Sequence, residues 1–173
     1  MITGPESTGK TTLARRLAGH YGTTWAAEYV REYLEQRPRR DPPSLVLWED
    51  VDAIARGQLE GEEAAAAGAT SLLFCDTDLH STKVYCDHYF GRCPEWLAET
   101  ARERRYDLHL LLRTDLPWVP DPMRDRAAER ERLFEDFRRE LQRAQRRVVE
   151  IEGVGEARFG AALAAVERLR AGG

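Results

Sequence analysis

The sequence predicts a three-layer α/β fold, a parallel sheet of about five strands with helices on both faces, and three observations carry that expectation. The short runs SLLFCD at 71–76, DLHLLL at 107–112 and VVEIE at 148–152 are continuously apolar enough to be strands covered on both sides. Longer segments with apolar residues at helical spacing alternate with them. A glycine-containing turn, GPESTGKTT at 4–12, stands between the first residues and one of those helical segments.

The elements follow in order. Only Met1, Ile2 and Thr3 precede Gly4, short for the buried strand that should feed such a loop, so either the first strand is truncated or the true start lies upstream. Leu13, Leu17 and Tyr21 then mark a helix from about Gly9 to His20. A strand at Thr24 to Ala27 leads into EYVREYLEQ, a helix that PRRDPP stops because proline cannot continue it. A long helix is predicted from Ser44 to Ala67, with Leu47, Val51, Ile54 and Gln58 on one stripe and Gly57 as its weak point. Its alanine-rich end is read as helix because alanine has the highest helix propensity. After the strands at 71–76 and 107–112, Phe134, Phe137, Leu141 and Ala144 trace a helix face. The last strand follows, and then a final helix carrying Phe159, Leu163 and Val166. No repeat or linker interrupts the pattern, so a single domain over 1–173 is expected.

Composition excludes several classes. A formal charge of -4 argues against a general nucleic-acid binder, and no apolar run is long enough to span a membrane. The opening residues lack a signal-peptide layout, which points to the cytoplasm. Cys75, Cys86 and Cys93 form no CxxC pair, and with His80 and His88 among them they match no familiar metal spacing; buried thiols are expected. The chain has no asparagine and only two lysines, Lys10 and Lys83. Lys10 is therefore the more telling for its place, where a compact ammonium suits a phosphate better than a planar guanidinium.

GPESTGKT fits the pattern GxxxxGK[ST] at Gly4, Gly9, Lys10 and Thr11, between strand and helix as the motif requires. Such a loop turns successive N–H groups toward a phosphate, and the following helix adds its positive end. Lys10 would neutralise the outer phosphates of ATP, and the Thr11 hydroxyl would help hold Mg2+. Without asparagine the chain lacks an Asn-Lys-x-Asp guanine reader, so ATP is favoured over GTP. The length suits a small kinase better than a motor-type ATPase.

Phosphoryl transfer also needs carboxylates at the carboxyl ends of neighbouring strands. Asp76 and Asp78 follow one strand, with Asp76 the natural Mg2+ partner, and Glu28 follows another and could accept a hydroxyl proton. Their plain alternative is helix capping. Arg124, Arg126 and Arg130 sit in a candidate lid around 117–130; Arg124 and Arg126 are the favoured stabilisers of the transferring charge.

With these residues in view, the stretches CDTDLHSTKVYCDHYFGRCPEW and DLPWVPDPMRD make the chain resemble the ribosylnicotinamide kinase domain of the NadR family over nearly its whole length. The family loop matches at Glu6, Ser7, Gly9, Lys10, Thr11 and Thr12, with Thr8 in place of serine; Asp76 to Asp78, Thr82 to Val84 and Tyr89 to Pro94 match further on. The resemblance implies a P-loop kinase that phosphorylates the ribose 5'-hydroxyl of nicotinamide riboside with ATP, giving nicotinamide mononucleotide. Glu28 or Asp78 would orient that hydroxyl. The adenylyltransferase and DNA-binding regions of some family members have no counterpart in this sequence, and Pro122 departs from the family's Asp-Gly-x-Arg lid entry. The substrate's pyridinium cation calls for aromatic faces or carboxylates, and Tyr29 and Trp118 are the first candidates. Rival readings are a kinase of another nucleoside or small alcohol on the same fold, and an ATP-responsive regulator without catalysis. A homo-oligomer is compatible with the sequence.

Overall fold

Five short parallel strands occupy the middle layer of the computed structural model, which describes residues 1–40, 45–118 and 127–172. They are β1 (Ile2–Thr3), β2 (Trp25–Ala26), β3 (Phe74–Cys75), β4 (His109–Leu112) and β5 (Val148–Ile151). β1 pairs with β4 and β4 with β5, while β2 pairs with β3. A parallel bridge between Ile2 and Asp76 joins the two groups, with the Thr77 N–H donating to the Ile2 carbonyl at 3.0 Å. The order across the layer is therefore β2-β3-β1-β4-β5, with β1 in the centre.

Seven α-helices accompany the strands among the described residues: α1 (Lys10–Tyr21), α2 (Tyr29–Gln36), α3 (Val51–Ala67), α4 (Leu79–Phe90), α5 (Glu95–Glu103), α6 (Arg130–Arg143) and α7 (Glu156–Ala171). β4 shows why both faces are covered. Its residues are all buried, with Leu110 and Leu112 packing among Leu13 and Leu17 of α1 and Ala162 and Val166 of α7. Leu111 points the other way, to Val84 of α4 and Leu133, Phe134 and Phe137 of α6. Alternate side chains of one strand thus feed two cores, as a strand between two helical layers must.

The three-layer α/β expectation holds, with differences in the elements. The strands β2 and β3 are two residues each, shorter than the predicted 24–27 and 71–76, although the Asp76 N–H still donates to the Ala26 carbonyl at 2.8 Å. The long helix predicted from Ser44 begins at Val51 instead, after a 3-10 turn at Trp48–Asp50; Ser44 itself lies outside the described residues. Asp50 is the reason. Its buried carboxylate accepts the Leu47 N–H at 2.8 Å and the Tyr33 hydroxyl at 2.6 Å, and pairs with Arg37 and Arg40, so the chain turns there before the helix starts. The helices α4 and α5 go beyond the sequence reading. Gly57 is a correction of another kind: a side chain there would meet the Tyr29 ring at 2.0 Å, so the glycine is a slot for Tyr29 between α3 and α2 rather than a weak point. The three cysteines are free thiols, Cys75 and Cys86 buried. Among the described residues no helix is long and apolar enough to cross a membrane.

Candidate active site

The loop from Gly4 to Gly9 leaves the central strand at its carboxyl end and enters α1. Gly4 must be glycine twice over: its φ is 134°, and a Cβ would lie 2.8 Å from the Leu112 carbonyl oxygen of the neighbouring strand. Ser7 and Gly9 also take positive φ, 55° and 81°, which turns the backbone into a concave run. Within it the Thr8 hydroxyl donates to the Pro5 carbonyl at 2.8 Å, closing the turn. Gly9 caps α1 without a side-chain bond and no acidic residue stands in the first turn, so the unpaired N–H groups and positive end of α1 are available to an anion. The Lys10 ammonium bridges the loop, donating to the carbonyls of Gly4 and Pro5 at 2.9 Å each.

Two buried arginines hold the loop from behind. Arg158 of α7 donates to the Thr8 carbonyl at 2.8 Å and the Gly153 carbonyl at 2.7 Å, and it pairs with Asp115. Arg130, at the start of α6, donates to the carbonyls of Ser7 at 3.2 Å and Leu116 at 3.0 Å. With the Ser7 and Thr8 carbonyls engaged by these arginines, the turn is held in place and its N–H groups are not needed by them. Sequence reasoning passed over Arg158, since nothing local distinguishes it from the other arginines of α7.

Asp76 emerges from β3 beside the loop and is fully buried. Its Oδ2 accepts the Thr11 hydroxyl at 2.5 Å, while Oδ1 is buried with no hydrogen-bond partner among the described residues. Burial raises the Asp76 carboxyl to about 6, with the negative charge of Glu28 adding to the rise and Lys10 and Thr11 opposing it. A buried carboxylate oxygen lacking a donor, next to a threonine hydroxyl and a second carboxylate, fits a hard divalent cation. Among the described residues no three His, Cys, Asp or Glu side chains cluster as a preformed metal site, so Mg2+ would be held by Thr11 and Asp76 together with the nucleotide's own oxygens.

Asp78 is a correction. Only two residues on, it is fully buried beneath the sheet and caps α4. Its Oδ1 accepts the N–H and the hydroxyl of Ser81 at 2.9 Å each, and its Oδ2 meets His109 Nε2 at 3.2 Å. Burial works to raise its carboxyl, but the His109 and Ser81 donors outweigh that and hold it at about 2. Both oxygens are committed, so neither a catalytic nor a substrate role suits it. Thr77 explains the divergence: with φ at 75° it turns the chain between the two aspartates, sending one to the loop and the other under the sheet.

A cavity of about 350 Å3 runs from the loop residues Glu6 to Thr12 past Glu28 and Arg31 to an apolar wall. Glu28 precedes α2 and faces Arg31 at 3.5 Å. The wall includes Val46, Ile54, Tyr85, Tyr89 and Phe90. Tyr85 and Tyr89 stack at 6.0 Å between ring centres and 15° between planes, the spacing i, i+4 on α4 being the signal that would have found them.

The two aromatic candidates of the sequence lie elsewhere. Tyr29 fills the Gly57 slot, and Trp118 lies under the Arg130 guanidinium at 5.7 Å; neither borders the cavity, which corrects both as substrate contacts. Arg124 and Arg126 lie outside the described residues.

This geometry has close parallels. Over 123 residues the chain is 37% identical to the trifunctional NAD biosynthesis/regulator protein NadR of Salmonella typhimurium, and equally to that of Escherichia coli strain K12; the match takes in 71% of this chain and 30% of each relative. The chain thus spans about a third of the length of these curated relatives. Among solved structures, a NadR protein in complex with NR superposes with a TM-score of 0.77 at 26% identity, covering 97% of this chain and 50% of that one. A NadR protein in complex with NAD and AMP-PNP gives 0.77 at 27% identity, covering 97% and 48%. The fold, the loop and the kinship agree, and a family model described as AAA domain matches residues 1–158: the chain belongs to that family and is similar to NadR.

Proposed function

We propose that this chain, acting as one domain, transfers the γ-phosphoryl group of ATP to the ribose 5'-hydroxyl of nicotinamide riboside. The observation that carries the reading is the continuity of one cavity from the phosphate loop, past Glu28, to a stacked tyrosine pair. The likeness to NadR structures holding NR and AMP-PNP supports both ligands.

In this reading the loop N–H groups and the start of α1 bind the phosphates, and Lys10 swings from its carbonyl partners to the outer phosphates. Thr11 and Asp76 would hold Mg2+, which when bound would offset charge on the phosphate oxygens. Glu28 orients the hydroxyl and takes its proton as the oxygen bonds to phosphorus and the bond to the β-phosphate oxygen breaks, releasing ADP. Tyr85, Tyr89 and the negative charge of Glu28 suit a flat cationic ring. The apolar wall limits water, whose attack would waste ATP.

A panel of nucleosides and small alcohols with ATP and Mg2+, read by mass spectrometry, tests the acceptor. Phosphorylated nicotinamide riboside is the expected product. Transfer to a different nucleoside alone would move the chain to the rival kinase reading, and tight ATP binding with no transfer at all would favour a regulator.

A further inference from the structure

Gln58 reads in the sequence as one more member of an apolar helix stripe, yet it is a polar side chain only 2% exposed at the inner edge of the cavity. Every hydrogen-bonding group of its amide is engaged. The side-chain carbonyl accepts the Tyr29 N–H at 3.0 Å, and the amide nitrogen donates to the Thr77 carbonyl at 3.3 Å and to Glu62 Oε1 at 3.4 Å. Glutamine alone among side chains of this length offers one acceptor and two donors there.

The partners give these bonds their meaning. Tyr29 is the first residue of α2, and its N–H is one of the donors that a helix start leaves without an internal acceptor. Glu28, at the capping position, makes no cap bond with its own side chain. Gln58 takes up the first N–H of the helix, and beside it the Glu28 carboxylate lines the cavity and faces Arg31 in the first turn of α2. At its other end Gln58 holds the carbonyl of Thr77, a residue with left-handed backbone next to Asp76. Such a conformation persists only where its surroundings over-determine it.

We propose that Gln58 is a positioning residue that ties the Glu28 corner after β2 to the Asp76–Thr77 corner after β3, fixing the two carboxylates relative to each other without touching substrate. This rests on the reading of Glu28 as the group that orients the acceptor hydroxyl. Gln58→Met keeps length and bulk and removes all three bonds. With ATP and nicotinamide riboside its kcat is expected to fall on the order of 10- to 100-fold, the scale of a small misplacement of reacting groups, while KM for ATP changes less than about threefold because the loop is untouched. In a Glu28→Gln background the same change should add little, since Gln58 acts through Glu28. Amide exchange read by NMR should show Tyr29 protection lost in the variant. If Gln58→Met does not fold, Gln58→Asn carries the same test, being one methylene too short to span both corners.

A folded variant with wild-type kcat overturns the proposal, as does a full multiplicative loss in the Glu28→Gln background. Unchanged protection at Tyr29 overturns the link whatever the acceptor. A wild-type chain inert toward nicotinamide riboside but active on another acceptor overturns only the functional reading, and the cycle is then run with the acceptor that reacts.

Discussion

Lys10 and Asp76 show how single side chains are poised for charge they must meet. The Lys10 ammonium rests on two loop carbonyls, both 2.9 Å away, and is only half-buried, so water can take its place on them. Lys10→Ala is therefore expected to abolish ATP turnover while leaving the circular dichroism spectrum and melting temperature near those of the wild type; retained turnover would contradict its role. Asp76 is the reverse case. Its carboxyl is raised from 3.8 to about 6, by burial first and by Glu28 second, so its ionised form opposes folding. The favourable contribution is complete below pH 3.8 and is lost as pH rises through about 6. Asp76→Asn should accordingly be more stable than the wild type at pH 8, on the order of 2 kcal/mol, with the gap closing near pH 4 in denaturant titrations. The same variant should lose Mg2+-dependent turnover. An Asp76→Asn protein less stable than the wild type at pH 8 would show that the carboxylate is not strained by its surroundings.

At the scale of elements, α2 and α3 are fitted through one slot. A methyl group at Gly57 gains about 1 kcal/mol of helix propensity but meets the Tyr29 ring at 2.0 Å. Overpacking costs about 1–3 kcal/mol and wins, so Gly57→Ala should lower the melting temperature and, by moving the start of α2, reduce kcat. A variant that melts higher would mean that the ring swings aside freely. The same pair shows what the sequence could and could not reveal. The loop and α1 were legible because their signals are local: glycines at fixed offsets, then leucines at helical spacing. Asp76 was legible because it ends an apolar run, but Asp78, an identical side chain two positions on, was misread since only the turned backbone at Thr77 decides which way each points. Gln58 hid in a hydrophobic stripe because its polar partners come from two other corners. The helix α4 escaped notice because its buried face includes the polar His80 and Ser81, whose partners, Glu140 of α6 and the capping Asp78, are seen only in the fold.

Across the whole molecule, the strand order places β1 between β3 and β4, so the loop after β1 lies beside Asp76 and under the reach of α6 and α7. Arg158 ties the two ends of the chain together, 150 residues from Thr8. Arg158→Met would strand the Thr8 and Gly153 carbonyls and leave Asp115 with the Gly153 N–H but no counter-ion, and breaking a buried pair costs about 3–5 kcal/mol. Since Asp115 is partly exposed, the lower part of that range is expected in denaturant titrations, together with weaker ATP binding from a slackened loop. Unchanged ATP affinity in a destabilised variant would confine Arg158 to folding. The most direct measurement is a crystal structure of the chain with AMP-PNP, Mg2+ and nicotinamide riboside. The expected result has the β- and γ-phosphates within the N–H groups of residues 6–12, a cation at Thr11 and Asp76, and the ribose hydroxyl between Glu28 and the γ-phosphate. A nucleotide bound elsewhere, or an acceptor whose hydroxyl lies away from Glu28, would contradict it.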